Sequence, residues 1–288
     1  MAMAGPLGQF VHEMQESGSA AVIMSPHLDD AVLSCGALLA HIAGKCPVTV
    51  VTVFTEAAPP PWSLPARLQL RAIGVTDADD FYEQRRAEDA KVVAEIGAAV
   101  VHLGLRDAMF RRVGDTAGRH LFPGWWPAYP TFRFDIARGR IARTDAGLPA
   151  EIGALVGEVV RETGAAALFA PLGVGKHVDH LITRRAAQHL PAQHLPAQGL
   201  PARHLPAQHL PVRTVYYSDF PYSEKADPEP GFLRRTGLVP HRWHSGRAEN
   251  ADRIAGYRTQ FAGLFPQGTV PLRPETYWLA ANDSATAT

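Results

Sequence analysis

The chain alternates short, wholly apolar runs with longer ones whose apolar positions recur at helical spacing. Residues 20–24, Ala-Ala-Val-Ile-Met, predict a buried strand, and residues 31–40 predict a buried helix. Residues 48–54, Val-Thr-Val-Val-Thr-Val-Phe, are rich in β-branched side chains and predict a second strand. Together they form a strand–helix–strand unit long enough for a parallel crossover. Residues 56–80 read as a loop punctuated by Pro59, Pro60, Pro61 and Pro65. Asp79 and Asp80 then offer an N-cap for a helix over 81–96, stopped by Gly97. A third strand is expected over 98–103. Residues 108–143 show no period and contain Trp125 and Trp126; so long a loop reads as a lid or binding loop with the tryptophans in a pocket wall.

A helix over 150–163, a strand over 165–170 and a helix from about Asp179 through Arg185 continue the pattern. Residues 187–211 then repeat Ala-Gln-His-Leu-Pro in near-copies. A proline at this spacing excludes a regular helix and a central strand, so the stretch reads as an expanded loop within a single domain over 1–288. Its histidines lack carboxylate or thiol companions, which argues against a metal tract. Residues 214–222 predict a strand and its exit, 249–265 one long helix, and 276–280 a closing strand. The alternation predicts an α/β fold: a three-layer α/β/α sandwich with a Rossmann-like, mostly parallel sheet.

Composition narrows the function. Of 288 residues 46% are hydrophobic and 19% charged, ordinary for a globular protein with a real core. Lys plus Arg and Asp plus Glu are both 28, so no basic surplus suggests nucleic acid. No apolar stretch approaches the roughly 18 residues of a membrane span. Residues 1–19 show no basic stretch followed by an apolar run, so a cytoplasmic protein is the expectation. Cys35 and Cys46 are too few for a disulfide framework and are expected as reduced thiols.

The chemistry concentrates in two turns. Ser25-Pro26-His27-Leu28-Asp29-Asp30 lies between the first strand and the first helix, at the strand's carboxyl end, where open α/β sheets bind ligands. Taken alone, Asp29 and Asp30 could simply cap the helix. A second strand, however, ends in Pro171-Leu172-Gly173-Val174-Gly175-Lys176-His177-Val178-Asp179-His180 and repeats the arrangement. If both turns share one sheet edge, His27, Asp29, Asp30, His177 and His180 converge. Two His and one Asp with open positions for water suit a catalytic zinc ion.

These paired turns resemble the zinc-dependent PIG-L/LmbE-like N-acetylglucosaminyl deacetylases. Residues 85–89 (Arg-Arg-Ala-Glu-Asp), 103–107 (Leu-Gly-Leu-Arg-Asp), 215–222 and 257–260 resemble further segments of that family. The chain departs from it at Leu28 and Val178, where the family has Pro, and at Ala31, where it has Glu. The resemblance implies that His27, Asp30 and His180 hold one Zn2+ and that Asp29 is the general base. It further implies that charged His177, oriented by Asp179, stabilises the oxyanion, and that Arg85 and Asp107 bind substrate. The partner implied is a small N-acetylated amino sugar, losing its acetyl group, with no nucleic acid and no membrane. A non-catalytic sugar-binding protein of the same fold is the alternative; it has no need of both Asp29 and His177 beside the metal. A nucleotide- or S-adenosylmethionine-dependent transferase fits poorly, because the first turn is not Gly-x-Gly-x-x-Gly.

Since the pentads cannot pack regularly, replacing residues 187–211 with a short Gly/Ser linker is expected to leave activity within a few-fold. A collapse in solubility or rate would show that the repeat packs on the domain.

Overall fold

The computed structural model describes residues 5–113, 126–193 and 212–281. The first half runs α1 (Pro6–Ser17), β1 (Ala21–Ser25), α2 (Asp30–Ala43), β2 (Val48–Glu56), α3 (Leu64–Ala72), α4 (Ala78–Ile96) and β3 (Ala99–Arg106). The second runs α5 (Leu148–Thr163), β4 (Ala167–Pro171), α6 (Val178–Gln193), β5 (Arg213–Tyr217), α7 (Pro230–Thr236), β6 (Leu238–Trp243), α8 (Arg247–Ile254), α9 (Arg258–Leu264) and β7 (Glu275–Ala280). No helix among the described residues is long and apolar enough to cross a membrane.

The strands form one sheet in the order β3-β2-β1-β4-β5-β7-β6. The first five run parallel, and β7 enters antiparallel to both β5 and β6. Alternation along β1 splits the core. Ala21 and Ile23 join α1, α2, α4, α8 and α9 on one face; Val22 and Met24 join α5, α6 and α7 on the other. This is the expected α/β/α sandwich. Its order reverses between β1 and β4, which pair in parallel as Ala21↔Ala167, Val22↔Leu168 and Ile23↔Phe169. Such a reversal opens a crevice at the carboxyl ends of the two strands.

Glu275, at the start of β7, holds α2 from the side. Its carboxylate accepts from Ala37 N (2.7 Å), Leu38 N (3.0 Å) and the Tyr277 hydroxyl (2.8 Å). Three donors satisfy a buried acid in the middle of the helix that begins at Asp30.

Five expectations need correction. Asp79 and Asp80 lie inside α4, whose cap is Asp77, its carboxylate accepting from Asp79 N (2.8 Å) and Asp80 N (3.1 Å). Residues 56–80 are not all loop. Ser63 caps α3 by accepting from Ala66 N, Pro65 sits in the tolerant first turn, and Ala66 and Leu70 pack beside Phe81 and Tyr82. The long helix over 249–265 is two, α8 and α9. A side chain at Gly256 would meet Val92 Cγ2 at 2.6 Å, and the next residue, buried Tyr257, turns in to donate to Asp89 (2.9 Å). The structure adds three elements to the expected set, the partly exposed edge strand β6 and the helices α1 and α7. Finally, α6 runs through Arg185 into the first pentad, because Ala186, Ala187 and Leu190 extend its buried stripe on the core shared with α5. Residues 194–211 lie outside the described residues.

Leu190 therefore belongs to the core although it reads as repeat. Leu190→Ala is expected to cost about 2–5 kcal/mol in chemical denaturation. A loss below about 0.5 kcal/mol, the scale of a surface change, contradicts this packing.

Candidate active site

β1 ends at Ser25, whose hydroxyl donates to His27 O (2.6 Å) and accepts from Ala31 N (3.0 Å). This clasp folds the turn and starts α2. Asp30 is the first residue of α2, and its Oδ2 accepts from His27 N (2.9 Å). Asp29 occupies the N-cap position but makes no side-chain cap bond, so the simple capping reading of this aspartate does not hold. Ala31 faces the apolar core, where a glutamate would be an uncompensated charge.

The second turn follows β4. Gly173, Gly175 and Lys176 all take left-handed φ values (78°, 82° and 62°). A side chain at Gly175 would meet Tyr222 Cβ at 2.7 Å, so the glycine admits both the turn and the tyrosine ring. His177 and His180 follow at the start of α6. The β1–β4 pairing brings them to the first turn: ring centroids of His27 lie 5.0 Å from His177 and 5.3 Å from His180.

Two groups of three donors result, each with ligand atoms within 4.8 Å of one another: His27, Asp30 and His180, and His27, His177 and Asp179. Their surroundings distinguish them. His27 Nδ1 lies 3.0 Å and His180 Nε2 3.3 Å from Asp30 Oδ2. His180 Nε2 is fully buried without a hydrogen-bond partner. Its other nitrogen, Nδ1, meets Asp219 Oδ1 at 2.6 Å, and Asp219 Oδ2 accepts from Val174 N (2.8 Å). A ligand histidine oriented by a carboxylate on its far nitrogen is the usual support of a metal site. His27 repeats the device, its Nε2 standing 3.1 Å from Asp179 Oδ2. The residues of the first group therefore fit a divalent metal ion.

Asp179 is placed differently from the expectation that it orients His177. Its carboxylate takes Ala108 N (3.0 Å), Arg111 Nη2 (2.5 Å) and His27, whereas His177 Nδ1 accepts from the Asp179 backbone N (3.3 Å). Burial, together with His27, pushes His177 well below the usual histidine range, against the expected charged form. Burial works against the charge on Asp30, yet His180 and His27 hold it well below the usual carboxylate range.

Asp29 is the exception among these acids. Burial pushes its carboxyl up to about 6, with Asp30 adding to the effect and Arg85 opposing it. Arg85 Nη2 lies 3.6 Å from Asp29 Oδ2, while Arg86 turns away to donate to Thr55 O (2.9 Å). Arg85 Nε is buried with no hydrogen-bond partner. Asp107 accepts from the Tyr82 hydroxyl (2.9 Å) and Met109 N (3.0 Å) and stands 3.6 Å from His27 Nε2. All eight residues singled out from the sequence thus meet in one place.

Sequence reasoning missed Asp219 and Arg111. Asp219 was findable, being a polar residue just past the carboxyl end of a predicted strand. Arg111 lay in a stretch without period. It bridges Asp179 to Asp145 (Nε to Oδ2, 2.9 Å), which also accepts from the Tyr129 hydroxyl (2.5 Å).

Asp219 supports His180 without itself belonging to the three-donor group. Asp219→Asn is expected to weaken divalent-metal affinity about 10–100-fold in a metal titration, with the circular dichroism spectrum retained. Unchanged affinity contradicts the support role.

Residues 22–190 match the PIG-L family, described as GlcNAc-PI de-N-acetylase. The chain is 30% identical over 223 residues to the 2'-N-acetylparomamine deacetylase of Streptomyces fradiae, covering 76% of this chain and 64% of that protein. It thus spans less than two thirds of the length of that curated relative. The zinc-inhibited form of teicoplanin deacetylase Orf2 superposes with a TM-score of 0.66 at 23% identity, covering 90% of this chain and 97% of the other. The A40926 pseudoaglycone deacetylase Dbv21 does so with a TM-score of 0.62 at 23% identity, covering 91% and 96%. These two show a shared fold. The family match extends over more than half of the chain and takes in both turns of the site, and the chain belongs to the PIG-L family.

Proposed function

We propose that this protein is a zinc-dependent N-deacetylase that hydrolyses the acetamide of an N-acetylated amino sugar to acetate and the free amine. The observation that carries the reading is the convergence of an uncommitted, buried Asp29 with the donor set His27, Asp30 and His180 at one crevice. Two imidazoles and a carboxylate with room for water form a donor set of the catalytic-zinc type. The relative named for 2'-N-acetylparomamine supports an amino-sugar antibiotic intermediate as substrate.

The chain's own groups then divide the work. An ion bound by His27, Asp30 and His180 supplies Lewis acidity and lowers the pKa of water toward about 7. Asp29, raised by burial into the range of a working base, takes a proton from the attacking water and returns it to the amine nitrogen. The water oxygen bonds to the carbonyl carbon and the carbon–nitrogen bond breaks. His177 accepts at Nδ1 from Asp179 N, so its hydrogen sits on Nε2, free to donate to the carbonyl oxygen as charge develops there. Arg85, whose Nη2 stands 3.6 Å from Asp29 Oδ2, and Asp107, 3.6 Å from His27 Nε2, are assigned to substrate hydroxyls on their closeness to these groups.

Asp29→Asn keeps the shape of the side chain and removes its proton affinity. Metal content is expected to stay, while kcat on an N-acetylated amino sugar falls about 100-fold or more. His177→Ala is expected to keep the metal as well and to lose about 10²–10³-fold in rate. Near-normal turnover by Asp29→Asn on a substrate cleaved by the wild type would falsify the mechanism.

A further inference from the structure

Among the described residues the exposed large aromatics are Trp126, Phe132 and Phe134, at 77%, 46% and 51% exposure. All three fall within one short segment. The segment's backbone is held firmly. Tyr129 and Ile136 are buried in a small cluster with Ala108 and Val178, the latter beside His177. Asp135 Oδ2 accepts from both Thr131 N (3.0 Å) and Thr131 Oγ1 (2.7 Å), closing the single π-helical turn that carries Phe132. The Tyr129–Asp145–Arg111–Asp179 chain ties the segment to the metal-site turn.

The rings are not equivalent. Phe134 lies under the guanidinium of Arg138, 5.0 Å from its centroid. Phe132 instead stands beside the reactive groups, with its centroid 6.1 Å from that of His177. Tyr222 stands by the same histidines, with ring centroids 6.5 Å from His177 and 5.2 Å from His180.

We infer that Phe132 is a specificity-determining residue whose exposed ring stacks on the pyranose that carries the reacting N-acetyl group. This rests on the deacetylase reading, in which the acetamide carbonyl sits at His177. The sugar ring is joined to that carbonyl through one amide nitrogen and so stays within reach of a ring 6.1 Å from His177. A pyranose presents a face of C–H groups beside a rim of hydroxyls. Aromatic walls with a few polar groups suit that mixture.

The test uses the metal-loaded protein, methyl N-acetylglucosaminide and an acyclic N-acetyl amino alcohol, with sugar binding followed separately by NMR line broadening. Phe132→Ala is expected to raise KM for the glycoside about five- to ten-fold, the scale of one aromatic contact, with a smaller change in kcat. Phe132→Tyr should restore KM, and the gap between wild type and Phe132→Ala should shrink on the acyclic substrate. Unchanged KM in an active Phe132→Ala overturns the inference and leaves the deacetylase reading intact. Sugar binding that is lost in Phe132→Ala, in a wild type that turns nothing over, upholds the stacking site and removes the deacetylase reading. No binding of the glycoside by wild type overturns the stacking site. A loss in Phe132→Ala that grows with N-acyl chain length also overturns it, since the ring then serves acyl chains.

Discussion

The parallel pairing of β1 with β4 is the constraint on which the site depends. It joins strands almost 150 residues apart in sequence through Ala21↔Ala167, Val22↔Leu168 and Ile23↔Phe169. The chain crosses from β1 to β2 in one direction and from β4 to β5 in the other, so both exits open into one crevice. His27 and Asp30 leave one strand, His177 and His180 the other. Neither turn makes a site alone. The glycine-permitted bend before His177 and the Ser25 clasp before Asp30 then set the side chains within hydrogen-bond range of each other.

The crevice gathers more carboxyls than permanently charged cations. Asp29, Asp30, Asp107, Asp179 and Asp219 are all buried there, against Arg85 and Arg111. Such a surplus is costly in a low-dielectric interior unless a cation balances it. The arrangement sorts the acids by partner. Asp179 is neutralised by Arg111 and satisfied by Ala108 N; Asp219 is held by Val174 N and His180. Asp29 has only a looser contact with Arg85, and it is the carboxyl left with raised proton affinity. Such sorting of neighbouring carboxyls by environment is what the proposed division between a metal ligand, Asp30, and a base, Asp29, requires.

Much of this was legible in the chain because strand and helix periods are local. The runs at 20–24 and 48–54, the helix stopped by Gly97 and the two polar turns all reflect backbone and burial rules acting over a few residues. What escaped depends on distant partners. Gly256 and Tyr257 break a helical pattern because Val92 and Asp89, on α4, require it. Leu190 reads as repeat and packs as core because α5 lies beside it. Asp179 sits two residues from His177 in sequence, yet its carboxylate serves His27 and Arg111, which only the folded crevice brings to it.

The central claim is that one divalent ion is held by ligands from both turns. Anomalous diffraction at the zinc edge, on crystals of the zinc-loaded protein, tests it most directly. The account predicts a single strong peak within bonding distance of His27, Asp30 and His180, with His177 and Asp179 outside that distance. A peak on His177 and Asp179, or none at full zinc loading, would contradict it.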